Sequence, residues 1–322
     1  MAQTVNCYCT LFDRNYLSRG LCLHRSLLRQ GGRFTFHVLC LDEPAFRSLA
    51  GADLPGVEPI ALDTLLRWDP ALAAARRGRA LLEFFFACKA SLLLYLLERG
   101  TGSDRVSYLD ADLYFFGDPS LVERECRASS IVLAPHRFTQ QNLHLIRFGR
   151  FNAGWLNVDT GPEALRFLAW WRERCLESST LLVEKARYGD QKYLDQVPGL
   201  FPAARILQHP GMNAGPWNLD ARRVTLGAEG ILVEGQPLVF FHFHRLRQAL
   251  FGLYDTALHE YGVELTPAIR RGIYAPYVAE LARWEQVHPS SPGGAWPGVG
   301  LLRGLARTAR AVVRRTVVSA AG

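Results

Sequence analysis

The chain has 322 residues, of which 49% are hydrophobic and 21% charged, and its formal net charge is +7. This length suits one large domain or two modest ones, and the composition is ordinary for a soluble globular enzyme. Residues 301–318 carry five arginines and no acid, so the rest of the chain is only mildly basic. We therefore do not predict a protein that binds nucleic acid.

Seven cysteines are scattered along the chain. Their odd number and wide spacing predict buried, reduced thiols and argue against a disulfide framework or a zinc site. The first residues lack the basic region and apolar core of a secretory signal, and no apolar run is long enough to span a bilayer. We therefore expect a cytoplasmic protein without a transmembrane segment.

Strand and helix patterns alternate from the first residues onward. A strand over 4–11 precedes a helical stripe of leucines that ends at Gly31-Gly32, and a strand over 34–41 precedes a helix that begins at Asp42. Further strands are predicted at 57–62, directly before Asp110, and at 130–134, 151–158 and 238–244, and further helices at 81–98, after Pro119 and at 163–176. This order predicts an α/β fold with a mostly parallel central sheet flanked by helices.

Two aspartates follow a buried strand at the centre of the chain. Asp110 and Asp112 are separated by Ala111, so in an extended chain both carboxylates project from one face. Adjacent carboxylates repel each other, and Mg²⁺ or Mn²⁺ bridging to a substrate diphosphate would neutralise them. Solvated turn residues are the alternative, but the flanking residues are apolar up to Gly117. An open α/β sheet also binds ligands at the carboxyl ends of its strands.

Five motifs occur in order along the chain. They are Thr10-Leu11, Cys-Lys-Ala at 88–90, Tyr-Leu-Asp-Ala-Asp at 108–112, Phe-Asn-Ala-Gly at 151–154 and Gly-Asp-Gln-Lys-Tyr-Leu at 189–194. In this order they resemble the GT-A glycosyltransferases, nearest to the glycogenin-like and galactosyltransferase-like enzymes of family 8. Among these, the chain resembles bacterial members with a Phe-His-Phe-His block, and the likeness covers roughly residues 4–250.

The resemblance implies a GT-A fold and a hexosyltransferase activity. The donor would be a nucleotide sugar, usually uridine-linked, held with Mn²⁺ or Mg²⁺ and transferred to an acceptor hydroxyl with retention. Asp110 and Asp112 match the metal-binding carboxylates, and Ala111 lies between them in the donor site. A late histidine completes the coordination, and the candidates are His242 and His244. We favour His244 because it is nearer the end of the strand.

Further donor contacts follow from the same resemblance. Thr10 and Leu11 match the segment that holds the nucleobase and ribose, although strand-end packing is the alternative for Leu11. Asn152 matches an asparagine that contacts the donor sugar, and Gly154 permits close approach of the backbone. Lys89 lies in an otherwise apolar helix, where a donor phosphate, a sugar hydroxyl or an aspartate would be its partner, or where it reaches the surface.

The Asp190-Gln191 pair matches the residues beneath the anomeric centre. Asp190 would stabilise the positive charge that develops there or act as a nucleophile. The alternative is a helix cap, which Gly189-Asp190 before an apolar run also fits.

The late block departs from the family pattern because it lacks the usual glycine, lysine and tryptophan after the histidines. Arg245 or Arg247 would replace the lysine as a clamp on the diphosphate. The loop over 209–218 would form an acceptor or sugar pocket, in which Trp217 stacks on a sugar and two asparagines donate and accept hydrogen bonds, namely Asn213 and Asn218. Core packing is the alternative for Trp217.

We predict a transferase domain over 1–265, a helical extension with a Pro/Gly/Ser linker over 266–298, and a basic tail over 299–322. Four arginines of the tail are spaced four, three and four residues apart, namely Arg303, Arg307, Arg310 and Arg314. This spacing predicts a basic amphipathic helix on an anionic membrane, at the inner face of the plasma membrane. A glycan or glycolipid acceptor would fit that position. The alternative is a helix packed on the domain with its arginines in solvent.

Two other functions fit the same composition. A sugar nucleotidyltransferase also uses Mg²⁺ and carboxylates, but residues 10–20 contain one glycine and no glycine-rich phosphate loop. A non-catalytic sugar-binding protein with a degenerate glycosyltransferase fold is the second alternative, which the missing late glycine and lysine keep open.

Overall fold

A computed structural model of the chain describes residues 5–219, 224–228, 230–289 and 308–320. Seven strands form its central sheet, and in chain order they are β1 (Asn6–Phe12), β2 (Phe34–Cys40), β3 (Val57–Ala61), β4 (Arg105–Leu109), β6 (Ile131–Pro135), β7 (Phe151–Asp159) and β8 (Ala204–Ile206). Their order in the sheet is β3-β2-β1-β4-β7-β6-β8. Strand β7 runs antiparallel to both of its neighbours, and the other neighbouring pairs are parallel. The predicted α/β fold with a mostly parallel sheet is therefore confirmed.

α-Helices and several shorter helical turns connect the strands. The helices are α1 (Leu17–Arg29), α2 (Glu43–Ala50), α3 (Leu62–Trp68), α4 (Pro70–Ala75), α5 (Leu81–Arg99), α6 (Ser120–Cys126), α7 (Pro162–Glu177), α8 (Val197–Leu200), α9 (Pro267–Ile269) and α10 (Ala275–Val287). Helix α2 begins as the sequence predicts, because the Asp42 side chain accepts a hydrogen bond from Ala45 N and Pro44 lies in the first turn.

Alternation along the strands divides the core into two layers. In β1, Cys9 packs into the layer of α5 and α7, and its neighbour Tyr8 packs into the layer of α1 and α2. Helix α5 is apolar nearly all round because it is covered by the sheet on one side and by α7 on the other. All seven cysteines are buried and unpaired, as predicted.

Three smaller sheets lie outside the central one in the described part of the chain. Their strands are β5 (Leu113–Phe115) with β12 (Phe240–His242); β9 (Val224–Gly227) with β10 (Gly230–Val233) and β11 (Gln236–Pro237); and β13 (Arg247–Gln248) with β14 (Leu253–Asp255) and β15 (Val317–Ser319). The β5–β12 pair is antiparallel and leads directly into the region of the two aspartates.

The C-terminal part of the chain packs on the main α/β core. Helix α10 lies against α1, where Glu280 forms an ion pair with Arg29 and accepts a hydrogen bond from the Tyr114 hydroxyl at 3.0 Å. Residues 308–313 are helical, and β15 then pairs with β14. Among the described residues, no helix has the length and apolar character needed to cross a bilayer.

The predicted tail helix is only partly within the described residues. Arg303, Arg307 and most of the predicted linker lie outside them. Arg310 lies in the short helix, Arg314 lies in the turn after it, and the chain continues as a strand of the domain. The contact of this tail with a membrane stays a prediction, as does the division of the chain into three segments.

Candidate metal and donor site

The backbone fixes the two central aspartates at the edge of the main sheet. Strand β4 ends at Leu109, and the next amide, that of Asp110, donates to the carbonyl of Gly154 in β7 at 2.7 Å. The Leu113 amide then donates to the Asp110 carbonyl at 3.0 Å, which turns the chain into β5. Both carboxylates therefore lie at the carboxyl end of a central strand, where α/β sheets bind ligands.

His242 reaches the aspartates through the register of the β5–β12 pair. His242 pairs with Leu113, and the amide of the next residue, Phe243, donates to the Asp112 carbonyl at 2.9 Å. The Nε2 atom of His242 lies 2.9 Å from Asp112 Oδ1 and 4.0 Å from Asp110 Oδ2. One ligand atom from each of the three side chains lies within 4.8 Å of the others. Two carboxylates and an imidazole are a donor set that suits Mn²⁺.

The electrostatics of this cluster favour a negative carboxylate beside a proton-binding imidazole. Burial opposes ionisation of Asp112, but His242 and then Arg19 outweigh it and hold the pKa of its carboxyl well below the usual value. Burial likewise opposes a charged His242, yet the Asp112 carboxylate raises its pKa above the usual 6.5. The Asp112 carboxylate thus favours a proton on the imidazole at the place where a cation would bind, so metal and proton would compete there.

The preference for His244 does not agree with this geometry. His244 is exposed at the rim, and its ring centroid lies 5.9 Å from that of His242. The two histidines do point to the same side of the chain, as their spacing predicts, but strand pairing ends at His242. The cluster of potential ligand atoms therefore contains His242 and leaves out His244.

A bulge in β7 carries the side chains behind His242. Its pairing with β6 shifts between Leu133 and Ala134, so that Ala134 pairs with Asn152. The Asn152 Nδ2 lies 3.0 Å from His242 Nδ1, and its Oδ1 accepts a hydrogen bond from the Gly154 amide at 2.7 Å. Asn152 thereby fixes the imidazole plane, which aims Nε2 at the aspartates.

Gly154 lies where no side chain fits. A Cβ atom built there would lie 2.6 Å from His242 Cε1, 2.7 Å from Asp110 Oδ2 and 2.8 Å from Asn152 Oδ1. Three polar side chains therefore converge on this glycine because it has no side chain of its own.

Lys89 is buried and connects the aspartates to Asp190. Its Nζ lies 3.0 Å from Asp110 Oδ1 and 3.1 Å from Asp190 Oδ2, and it donates to the Ala153 carbonyl at 3.3 Å. Burial opposes its charge, but Asp110 and Asp190 outweigh this and raise the pKa of Lys89 above its usual value. Asp110 Oδ1 also accepts a hydrogen bond from the Tyr108 hydroxyl at 2.8 Å. The sequence predicts a phosphate, a sugar hydroxyl or an aspartate as the partner of Lys89, and in the structure its partners are two aspartates.

Asp190 is turned inward and does not cap a helix. The helical turn Lys192–Gln196 begins after Gln191 and has no side-chain cap. Burial raises the pKa of Asp190 above the ordinary value, and Lys89 opposes that shift. Gln191 lies beside it, where Oε1 accepts from the Ala153 amide at 3.4 Å and Nε2 donates to the Phe148 carbonyl at 3.0 Å. Gln191 thus contacts the segment of β7 that also contacts Asp110 and His242.

The predicted nucleoside contacts lie on the central strands. Thr10 is fully buried within β1, where it pairs with Val38, and its hydroxyl has no hydrogen-bond partner among the described residues. Leu11 is half-buried, and Ala111 is buried between the two aspartates. Because β1 continues to Phe12, Thr10 lies inside the strand and does not form the strand end that the sequence predicts.

The loop predicted to form the acceptor pocket is packed against the histidines. Trp217 is buried, with its ring centroid 5.3 Å from that of His242 and 5.8 Å from that of His244. Asn213 Oδ1 accepts from Asn152 Nδ2 at 3.2 Å, and Asn218 Oδ1 accepts from the Gly215 amide at 3.1 Å. Both asparagine amides are thus used inside the protein, where they hold this loop beside the metal-site residues.

The two arginines predicted to clamp the diphosphate face another partner. Arg245 Nη2 lies 2.9 Å from Glu260 Oε2, and Arg247 Nη1 lies 3.7 Å from Glu260 Oε1. In contrast, Arg19 of α1 donates to the Leu246 carbonyl at 2.9 Å, and its charge lowers the pKa of Asp112. Its guanidinium lies 5.3 Å from the ring centroid of Tyr16.

Arg19 and Tyr16 were not predicted from the sequence. A signal was present, since both follow β1 at the edge of the sheet where Asp110 follows β4, and β1 pairs directly with β4.

Comparisons with known proteins agree with this architecture. No family model matches the sequence. Two uncharacterized proteins of Bacillus subtilis (strain 168) are similar to it. YfnD is 26% identical over 280 residues, which cover 86% of this chain and 89% of YfnD. YfnF is 28% identical over 248 residues, which cover 74% of this chain and 81% of YfnF.

Among solved structures, the galactosyltransferase LgtC in complex with donor and acceptor sugar analogs is similar, with a TM-score of 0.51 and 17% identity. The match covers 74% of this chain and 90% of LgtC. An active-site mutant of LgtC gives a TM-score of 0.50 at 16% identity, over 83% of this chain and all of the mutant chain. Together with the strand order and the position of the acidic cluster, this likeness shows that the chain has the GT-A fold of glycosyltransferases.

Proposed function

We propose that this protein is a metal-dependent glycosyltransferase that moves a sugar from a nucleoside diphosphate donor, a UDP-sugar, to an acceptor hydroxyl. The observation that carries the proposal is the convergence of Asp110, Asp112 and His242 beside the buried Lys89–Asp190 pair. On a GT-A fold, that arrangement lies at the carboxyl edge of the sheet. Similarity to solved glycosyltransferase structures would not by itself support this function, since one fold hosts many functions.

The donor diphosphate would lie against the acidic cluster. Asp110, Asp112 and His242 would hold Mn²⁺ or Mg²⁺, which when bound neutralises charge on the diphosphate. Arg19 is the cation that we assign to the outer phosphate oxygens, because it lies near Asp112 whereas Arg245 and Arg247 face Glu260. Its planar guanidinium can bind two phosphate oxygens at once.

Asp190 would stabilise the sugar as the diphosphate leaves. Its carboxylate is buried, and Lys89 holds it on the side of the metal site where the anomeric carbon would lie. A fixed negative group in such a place stabilises developing positive charge without reorganising. The acceptor hydroxyl can then attack from the face that the leaving group vacates, with the leaving phosphate taking its proton, which gives retention. We propose a glycan or glycolipid as the acceptor.

A two-part experiment tests this function. Thermal unfolding is measured with a panel of nucleotide sugars, with and without Mn²⁺, because a true donor raises Tm by mass action. Hydrolysis of the stabilising donor is then followed for the wild type and for Asp112→Asn. We expect Mn²⁺-dependent hydrolysis by the wild type and none by the folded variant. Turnover by Asp112→Asn without added metal would contradict the proposal, as would a panel in which no nucleotide sugar shifts Tm.

A further inference from the structure

Five aliphatic side chains lie exposed on two neighbouring segments. We call them the aliphatic patch, and they are Leu81, Leu82, Leu181, Leu182 and Val183. Leu81 is 61% exposed and Leu182 is 73% exposed, so neither side chain is packed in the core. Single exposed leucines are common, but a cluster of five marks a surface for interaction.

Hydrogen bonds hold the two segments of the patch together. The first segment is the N-terminal end of α5, and the second is the loop that follows α7. The Leu181 amide donates to Glu83 Oε1 at 3.1 Å, and the Ser179 hydroxyl donates to the Glu83 carbonyl at 2.7 Å. The loop closes on itself where the Gly189 amide donates to the Thr180 carbonyl at 2.7 Å. The leucines of both segments therefore form one surface.

The patch is next to the candidate active site. Leu82, Phe86 and Lys89 are spaced four and three residues apart on α5, so they lie on one face of the helix. Seven residues of helix rise by about 10 Å. The other end of the loop is Gly189, directly before Asp190, where an added Cβ atom would lie 3.3 Å from the Phe86 ring. Helix α5 and Gly189 thus connect the patch to the buried Lys89–Asp190 pair.

Basic side chains surround the patch. Arg76 and Arg77 precede it on one side, and Lys185 and Arg187 follow it on the other, all of them exposed. The acids nearby are Glu184, which is exposed, and two that are engaged within the chain, namely Glu83 with the Leu181 amide and Glu177 with Arg174. The rim is therefore net positive around an aliphatic centre.

We propose that the aliphatic patch inserts into the surface of an anionic lipid bilayer. Exposed leucines gain by entering the boundary between headgroups and acyl chains, and each basic residue near an anionic surface adds further attraction. The combination selects a lipid surface, because a protein partner of purely apolar contact would not need the basic rim. This surface is separate from the basic tail, and its binding is independent of whether the proposed sugar transfer is correct.

Vesicle binding of the full-length protein tests the proposal. Co-sedimentation is measured with vesicles of phosphatidylcholine alone and with vesicles that contain phosphatidylglycerol. The variant is Leu81→Ser with Leu182→Ser, and the matched control is Phe251→Ser, which removes a side chain that is 81% exposed near the tail. We expect the double variant to bind anionic vesicles roughly tenfold more weakly than the wild type. The control should bind as the wild type does.

A second variant tests the basic rim. Lys185→Gln with Arg187→Gln should reduce the preference for phosphatidylglycerol and leave the Tm unchanged, since both side chains are exposed. Equal binding by wild type and Leu81/Leu182 variant would overturn the proposal. So would loss of binding in Phe251→Ser alone, which would assign the contact to the tail, or a wild type that forms a dimer through these leucines and ignores vesicles.

Discussion

The ammonium group of Lys89 lies 3.1 Å from the carboxylate of Asp190, and both side chains are buried. Burying either charge alone would cost several kcal/mol, so the burial of each side chain depends on the opposite charge of the other. The pair also connects the proposed catalytic carboxylate to Asp110, which binds the same lysine at 3.0 Å. Stability and activity are therefore coupled at this point of the molecule.

Removing the lysine should destabilise the fold strongly. Lys89→Met leaves Asp190 buried without its cation, and we expect unfolding to become easier by about 3–5 kcal/mol. Urea unfolding measures the change. Adding Asp190→Asn to Lys89→Met should restore much of the lost stability, because the buried charge is then gone. If the double variant is no more stable than the single one, the two charges do not depend on each other.

A methyl group at Gly154 should weaken cation binding. The added Cβ would collide with His242, Asp110 and Asn152, so the ligand groups must move apart. We expect Mn²⁺ affinity of Gly154→Ala to fall by at least about tenfold in calorimetric titration. Gly199→Ala is the matched control, because nothing lies within 4 Å of a Cβ atom at Gly199. Unchanged Mn²⁺ affinity in Gly154→Ala would remove this glycine from the site.

Asn152 should act through His242. Truncation in Asn152→Ala frees the imidazole plane and leaves all three proposed ligands in place. Loss of such an outer partner typically lowers metal affinity by about 10- to 100-fold. We expect that loss in Mn²⁺ titration, with a weaker effect in Asn152→Asp, whose carboxylate can contact the same imidazole nitrogen by accepting a hydrogen bond from it. An Asn152→Ala protein that binds Mn²⁺ as the wild type does would contradict the positioning role.

Acid stability should depend on His136. Burial, reinforced by His242 and His244, lowers the pKa of His136 to about 3 from the ordinary 6.5. Between these two pH values the unfolded chain binds a proton at His136 that the folded chain does not bind. The contribution of His136 to the free energy of unfolding is therefore complete above pH 6.5 and is lost as the pH falls towards 3. We expect His136→Gln to flatten this acid limb by up to about 1.4 kcal/mol per pH unit. Unfolding measured from about pH 7 to about pH 4 shows whether the slopes differ.

Local patterns were sufficient to predict the fold and part of the site. The alternation around Asp110 and Asp112 is a property of one strand end, and it predicts that both carboxylates project together. The inward face of Asp190 and the burial of Lys89 were also open to prediction, because a lysine in an apolar helix needs an acidic partner.

Long-range register could not be read from the sequence. Whether His242 or His244 joins the aspartates depends on the pairing of β12 with β5, which are more than a hundred residues apart. Arg19 enters the site because β1 and β4 are neighbours in the sheet, and Arg245 is held by Glu260 through a turn that has no periodic signal. The small sheet that takes in β15 was missed because its strands are two or three residues long.

The buried lysine has a further consequence for the loading of the site. Once His242 has lost its proton, three carboxylates and one ammonium group leave two negative charges, and a divalent ion cancels both. The pocket is thus electroneutral only when occupied by a dication, and the phosphates of an incoming donor must find their counter-ions at Arg19 and at the ion itself. Cation and donor are therefore expected to bind cooperatively, each raising the affinity of the other by the same factor.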